Sequence, residues 1–131
     1  MKRQIIDVMA AVIVRDGRYL ICKRPLHKRH GGLWEFPGGK VEPGESFAQA
    51  VEREMTEELG VTVSSVLDSV WQIHDPGSVF KIHFVPTSIQ GEPMPIEHNE
   101  IAWAYPVDLL RYSLAPSDRH FAETYLLKQG G

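Results

Sequence analysis

Cysteine is nearly missing from this sequence of 131 residues; Cys22 stands alone. An internal disulfide is therefore excluded, and the apolar run around Cys22 predicts a buried thiol in a reduced, cytoplasmic protein. Also missing is any apolar stretch long enough to span a bilayer, so no membrane partner is expected. The start, Met1-Lys2-Arg3 followed by Ile5 to Val14, imitates a signal peptide, but Asp7 interrupts it and no small-residue cleavage site follows. Runs of lysine or arginine are absent and the formal net charge is −3, which argues against a surface for duplex nucleic acid. A small polyanion is not excluded, because bound metal can supply positive charge. No low-complexity segment or divisive linker appears, and 43% hydrophobic with 24% charged residues is the composition of one ordinary globular domain. That length buries a real core without cross-links.

Ile5 to Val14 and Tyr19 to Lys23 read as two strands joined through Asp16-Gly17, a hairpin turn pair. Pro25 to Gly32 is a polar, basic loop. Leu33 to Phe36 is a short strand stopped by Pro37-Gly38-Gly39, and Pro43-Gly44 marks a turn. Ser46 to Leu59 is the most helix-like segment, capped by Ser46 and ended by Gly60. Val61 to His74 and Val79 to Val85 are β-rich, split by Asp75-Pro76-Gly77. Ile101 to Tyr105 is a further strand, Pro106 to Arg111 a short helix, and Pro116-Ser117 opens a final helix through Leu127. Strands in the middle with two substantial helices predict a mixed α/β (α+β) layered domain.

The helix over 46–59 breaks its own pattern. At about 100° per residue, Phe47, Ala48, Val51, Met55 and Leu59 form one apolar stripe, with Gln49, Glu52 and Thr56 opposite. Glu58 falls inside that stripe, and Glu54 and Glu57 lie along its edge. Three converging carboxylates repel one another and raise each other's proton affinity unless a cation is present. One reading is a solvated acidic face with Arg53 paired to Glu57 at i, i+4. The other is a site for Mg²⁺, with Mn²⁺ as a substitute, since dense oxygen ligands suit hard cations that keep waters and take phosphate oxygens. Only the second explains the violated amphipathic pattern. The preceding Gly38-Gly39 pair lets backbone approach a ligand closely, and Glu45 stands at the helix entrance.

Gly39, then Glu45 after five residues, then after seven more Arg53-Glu54-Met55-Thr56-Glu57-Glu58-Leu59-Gly60-Val61, resembles the Nudix box at every position. Leu33-Trp34-Glu35-Phe36-Pro37-Gly38-Gly39-Lys40-Val41-Glu42 and Leu114-Ala115-Pro116-Ser117-Asp118 resemble the MutT-like and cytidine-triphosphate pyrophosphohydrolase branch. The resemblance covers nearly the whole chain and implies a single domain of Nudix fold, a mixed sheet sandwiched between helices, with the box over 39–61. It implies metal ligation by Glu54, Glu57 and Glu58 with the Gly38 carbonyl. Arg53 would orient the carboxylates, Glu45 would brace them, and Gly39 would lie against substrate. A further glutamate from a distant loop is implied, Glu97 as first choice and Glu100 as alternative. Glu54 or Glu97 would take the proton of the attacking water.

Asp118, at the start of the last helix, is either a base-reading side chain or a helix-entrance aspartate favoured by the dipole. Ionised, it would only accept hydrogen bonds, which suits the cytosine amine or the donor edge of guanine. Phe36 and Trp34 offer rings for stacking, though alternate residues of a strand also pack cores. Arg24 reads as a phosphate or base contact, or as an exposed arginine. His27 and His30 read as ordinary loop residues, because nothing completes a zinc pattern. The expected activity is Mg²⁺-dependent hydrolysis of a nucleoside triphosphate to monophosphate and pyrophosphate, cytidine or oxidised guanine nucleotides favoured, by a monomer or homodimer. The alternatives are a nucleotide sugar or dinucleotide as substrate, and a catalytically silent nucleotide-binding module.

Overall fold

A computed structural model describes residues 4–98 and 100–129; Met1-Lys2-Arg3, the signal-like start, and Asn99 lie outside them. The strands are β1 Ile6–Val12, β2 Val14–Arg15, β3 Arg18–Lys23, β4 Trp34–Glu35, β5 Gly38–Lys40, β6 Thr62–Val66, β7 Trp71–His74, β8 Phe80–Gln90 and β9 Glu100–Ala104. The helices are α1 Phe47–Leu59, α2 Pro106–Leu109 and α3 Pro116–Phe121, which continues through a π-helical stretch, Ala122–Leu126, into α4 Leu127–Gln129.

The larger sheet is mixed. β1 lies between antiparallel β5 and parallel β8, and the far edge of β8 carries β7 and then β6. The smaller sheet centres on β3, with β2 and β4 along one edge and β9 on the other. Strand alternation divides the core in two. Met9, Ala11, Ile13, Leu20 and Cys22 pack against Val51, Met55 and Leu59 of α1. Ala10, Val12, Ile21 and Phe84 pack on the opposite face against Phe121, Ala122 and Leu126. The sheets are thus sandwiched between α1 and the C-terminal helix, as expected. Phe84 stacks on Phe121 with centroids 4.1 Å apart, and burying each such ring stabilises the fold by roughly 1.5–3 kcal/mol.

Local chemistry sets the boundaries that matter for the site. Asp16 and Gly17 both have positive φ, 54° and 78°, the requirement of a tight hairpin turn. α1 begins in a capping box, Ser46 and Gln49 bonding each other's backbone N–H, and ends at Gly60 in the left-handed conformation with φ 68°.

Four expectations are corrected. The run Ile5 to Val14 is not one strand: alternation continues through Ile13, but the chain leaves β8 after Val12 and pairs with β3 from Val14. Gly38-Gly39 does not stop the β structure; Gly38–Lys40 pairs with Val8–Ala10, because without Cβ atoms its backbone fits against Met9. On α1, Ala48 is exposed and Ala50 is buried in its place, which turns the packed face toward Val51, Met55, Glu58 and Leu59. The final helix is not uniform. Its π stretch bonds the Leu127 N–H to the Ala122 carbonyl, bringing buried Phe121 and Leu126, five residues apart, toward one side.

Candidate active site

A cleft of about 390 Å³ opens on residues of both sheets, α1 and the first turn of α3. Its lining includes Gly38, Gly39, Glu54, Glu58, Glu97 and His98, which we call the α1 end, and Asp75, Phe80, Ile82, Ser117 and Asp118, from the β7–β8 hairpin and α3, which we call the other. Arg24, Glu35 and the basic loop residues Lys28, Arg29 and His30 also line it. Of the residues expected to act, Arg24, Gly38, Gly39, Glu54, Glu58, Glu97 and Asp118 are therefore brought together, whereas Phe36, Arg53 and Glu57 lie off the cleft wall.

At the α1 end, Arg53 is the hub. Its Nε and Nη2 donate to Glu45 at 2.8 and 2.9 Å, its Nη1 donates to Glu54 at 2.5 Å, and its Nη2 donates to the Lys40 carbonyl at 3.1 Å. Glu57 lies 3.6 Å from Arg53 Nη1 and is half exposed. The guanidinium bonded to Glu45 holds that carboxyl down at about 2. Glu58 is 3% exposed, so the carboxylate in the apolar stripe is buried as its helical phase requires. Burial, then Glu54, Glu35 and Glu97 close by, pushes its carboxyl far above the ordinary range.

Two features of this end suit a hard cation. Glu58 Oε2 is a buried oxygen without a hydrogen-bond partner among the described residues. At Gly39, an added Cβ would meet Glu54 Oε2 at 2.6 Å, so the missing side chain leaves room beside that carboxylate. No three acidic, His or Cys side chains form a closed cage among the described residues. Mg²⁺ needs only one or two protein carboxylates when waters and phosphate oxygens complete its shell. Glu100, the alternative distal residue, is on β9, 4.0 Å from Lys23 and mostly exposed, while Glu97 lines the cleft.

At the other end three expectations change. Phe36 is 3% exposed and packs edge-on to Phe84 and Phe121. Its ring belongs to the core and offers no stacking face; its backbone N–H donates to Asp118 Oδ1 at 2.9 Å. Arg24 is neither exposed nor free: its Nη1 donates to both Glu35 oxygens at 2.9 and 3.1 Å, and its Nε to the Arg29 carbonyl at 2.7 Å. Asp118 lies in the first turn of α3, as a helix-entrance aspartate would, but it is not the cap: Ala115 holds that position, without a side-chain cap bond. Burial, with Glu35 and Asp75 adding to it, pushes the Asp118 carboxyl up to about 8 against the opposing pull of the Phe36 N–H. Burial thus favours the protonated form, which can donate as well as accept, against the acceptor-only expectation.

Several cleft residues escaped the sequence reading. Glu35 receives Arg24 and lies 3.0 Å from His98 Nε2; its signal was a charge between apolar Trp34 and Phe36. Phe80, with the Lys40 ammonium 5.6 Å from its ring centroid, supplies the aromatic face that Phe36 does not. His98, its side chain 6% exposed, stands between Glu35 and Glu58. Asp75 looked like nothing more than a turn residue.

Residues 4–125 match the NUDIX domain. The chain belongs to the Nudix family. It is 41% identical over 127 residues to the CTP pyrophosphohydrolase of Escherichia coli K12, covering 94% of this chain and 93% of that protein. It is 34% identical over 119 residues to a putative 8-oxo-dGTP diphosphatase 2 of Mycobacterium tuberculosis, covering 86% and 82%. The crystal structure of a MutT Nudix hydrolase from Burkholderia pseudomallei superposes with a TM-score of 0.82 at 31% identity, covering 94% and 99%. This Nudix hydrolase is thus of MutT type in sequence and in fold. No helix of the described residues is long and apolar enough to cross a membrane.

Proposed function

We propose that this Nudix hydrolase is a Mg²⁺-dependent nucleoside triphosphate pyrophosphohydrolase that favours cytidine or oxidised guanine nucleotides. The observation that carries the reading is one cleft lined by a carboxylate cluster at α1 and by a buried carboxyl, pinned by the Phe36 N–H, at α3; the reading takes that carboxyl in the protonated form, which its burial favours. Glu54, Glu58 and Glu97, with the Gly38 carbonyl and Glu57 at the margin, would hold the metal. Bound there, Mg²⁺ would neutralise phosphate charge and lower the pKa of a coordinated water. Arg53 holds Glu54 in place, and Glu54 or Glu97 accepts the proton of the attacking water. Lys28 and Arg29 supply positive charge along the cleft for the phosphate chain.

The base preference follows from the Asp118 carboxyl. The Phe36 N–H fixes Oδ1 as acceptor, so the proton resides on Oδ2 and the acid presents a single polarity. Cytosine offers a ring acceptor beside its N4 amine donor. Oxidation of guanine at C8 places a hydrogen on N7, converting one of its two major-groove acceptors into a donor beside O6. Uracil presents its donor and acceptor in the reverse order from cytosine, and a pinned acid cannot reverse with it. The names of the two relatives, a cytidine and an oxidised-guanine hydrolase, support the same pair of bases.

Turnover of the four common triphosphates and the 8-oxo-guanine form tests this. With Mg²⁺ the products should be monophosphate and pyrophosphate, with cytidine or 8-oxo-guanine preferred over uridine. Full activity in excess chelator, or inorganic phosphate as the primary product, would overturn the assignment.

A further inference from the structure

The base end of the cleft is enclosed by a closed circuit of polar contacts. Glu35 on β4 holds Arg24 at 2.9 Å, and Arg24 Nε holds the Arg29 carbonyl at 2.7 Å. The Arg29 side chain lies 3.6 Å from Asp75 Oδ2, and Asp75 Oδ1 accepts the Ser117 hydroxyl at 2.6 Å. Asp118, the next residue, returns to β4 through the Phe36 N–H. Four chain segments are linked in this way: β4, the loop after β3, the turn between β7 and β8, and α3.

Asp75 is the residue whose presence the turn does not explain. An aspartate at the head of a turn ordinarily bonds its own backbone two residues on. Here the turn is closed by other groups: the Asp75 N–H donates to the Phe80 carbonyl, and the Ser78 N–H and hydroxyl both donate to the Asp75 carbonyl. The carboxylate is released to reach Ser117, 42 residues away and 2% exposed. Ser117 gains nothing as a helix cap, because it stands inside the first turn of α3.

We propose that Asp75 is a positioning residue for base selection: through Ser117 it fixes the first turn of α3, and hence Asp118, and through Arg29 it draws the basic loop over the cleft. This rests on the functional reading above and adds to it a residue that need not touch the base. The two halves of the clamp differ in kind. The Ser117 bond is short, 2.6 Å, and largely shielded from solvent, so it sets geometry. The Arg29 contact is longer, and Arg29 is 54% exposed, so it contributes attraction for the loop and for the anionic substrate that the loop meets.

The test compares Asp75→Ala, Asp75→Asn and Ser117→Ala by kcat and KM for CTP and UTP. Asp75→Ala should raise KM for CTP about tenfold, the scale of losing a hydrogen bond to a charged group, with a smaller fall in kcat, and bring the CTP to UTP ratio toward unity. Ser117→Ala should flatten the ratio in the same way. Asp75→Asn retains an acceptor for Ser117 and should restore the ratio, while KM stays raised for want of a charge facing Arg29. A ratio that survives in Asp75→Ala, whatever its melting temperature, overturns the proposal. Should Asp75→Ala fail to fold, a ratio that survives in Ser117→Ala overturns it equally. If the natural chain turns over no triphosphate, the functional reading falls by itself. The clamp is then judged by equilibrium binding of CMP and UMP. Equal affinities in the natural chain, or a preference unchanged in Asp75→Ala, overturn it; a preference lost in Asp75→Ala upholds it.

Discussion

The two ends of the cleft are built by different means. The α1 end takes its carboxylate cluster from one contiguous stretch, 39–61, joined by Gly38 and by Glu97 and His98 from a distant loop; a single cation organises it, Arg53 gathering Glu45, Glu54 and Glu57 within one helix and the loop before it. The α3 end is assembled from four segments distant in sequence, tied by single bonds such as Ser117 to Asp75 and Phe36 to Asp118. Each end buries one carboxyl whose charged form is disfavoured, Glu58 at the first and Asp118 at the second. They differ in company: Glu54, Glu35 and Glu97 crowd Glu58, whereas Asp118 is pinned by the Phe36 N–H. A local motif holds the chemistry, which is the same for any base. Long-range contacts hold the part that must distinguish bases.

That division predicts which substitutions act evenly and which act selectively. The largest effect is expected at the local end. Glu54→Gln should lower kcat/KM about a hundredfold or more, the scale of removing a key electrostatic element, equally for every base. A loss confined to one base would break the division. Glu57→Gln sharpens it, since Glu57 is half exposed and contacts Arg53 at 3.6 Å. A loss of similar size would make Glu57 a direct ligand, and a loss under about tenfold would leave it a partner of Arg53. A smaller, selective effect is expected at the other end. Asp118→Ala should erode the preference for cytidine or oxidised guanine over uridine by roughly 1–3 kcal/mol, the worth of a good paired base contact, with metal dependence unchanged. An unchanged ranking would remove Asp118 from base recognition.

Legibility in the sequence follows the same division. Glu58 could be placed in the apolar stripe because helical phase is a local property, and the fully buried site confirms that reading. The Arg53 to Glu57 spacing was legible for the same reason. Phe36 was not, because the face that Trp34 and Phe36 share reads equally as core or as a stacking surface. The choice is made by Phe84 and Phe121, which meet it only in the fold. Arg24 read as free because its partner Glu35 is reached only when β3 and β4 pair. The break at Ile13 was hidden since the apolar alternation Met9, Ala11, Ile13 passes through it without interruption. The identity of Asp118 was legible and its protonation was not; ionisation depends on solvent excluded by distant segments.

That protonation yields the smallest expected effect, one read in stability rather than turnover. The groups facing Asp118 are Glu35 from β4, Asp75 from the turn before β8, and the buried Cys22 thiol of β3, itself raised chiefly by burial. None of them is positive, and only backbone N–H groups, those of Phe36 and of Asp118 itself, favour its charged form. With its value raised from 3.8 to about 8, the folded chain binds a proton that the unfolded chain has released over the intervening pH range. Stability therefore declines as pH rises wherever the folded state binds more protons. The Asp118 contribution is fully present below about pH 4 and is lost progressively as pH climbs to about 8. Acid loss of the Glu45 to Arg53 pair lies lower, between about pH 4.5 and pH 2; Glu58, raised likewise, adds a decline of the same sign that a change at Asp118 leaves in place. Asp118→Asn keeps an acceptor for the Phe36 N–H and has no proton to lose, so its melting temperature should fall less than that of the natural chain between pH 5 and pH 8. Parallel melting profiles across that range would mean that Asp118 is ionised at neutral pH. The acceptor-only aspartate would then return, and the base end would differ from the α1 end in its contacts alone.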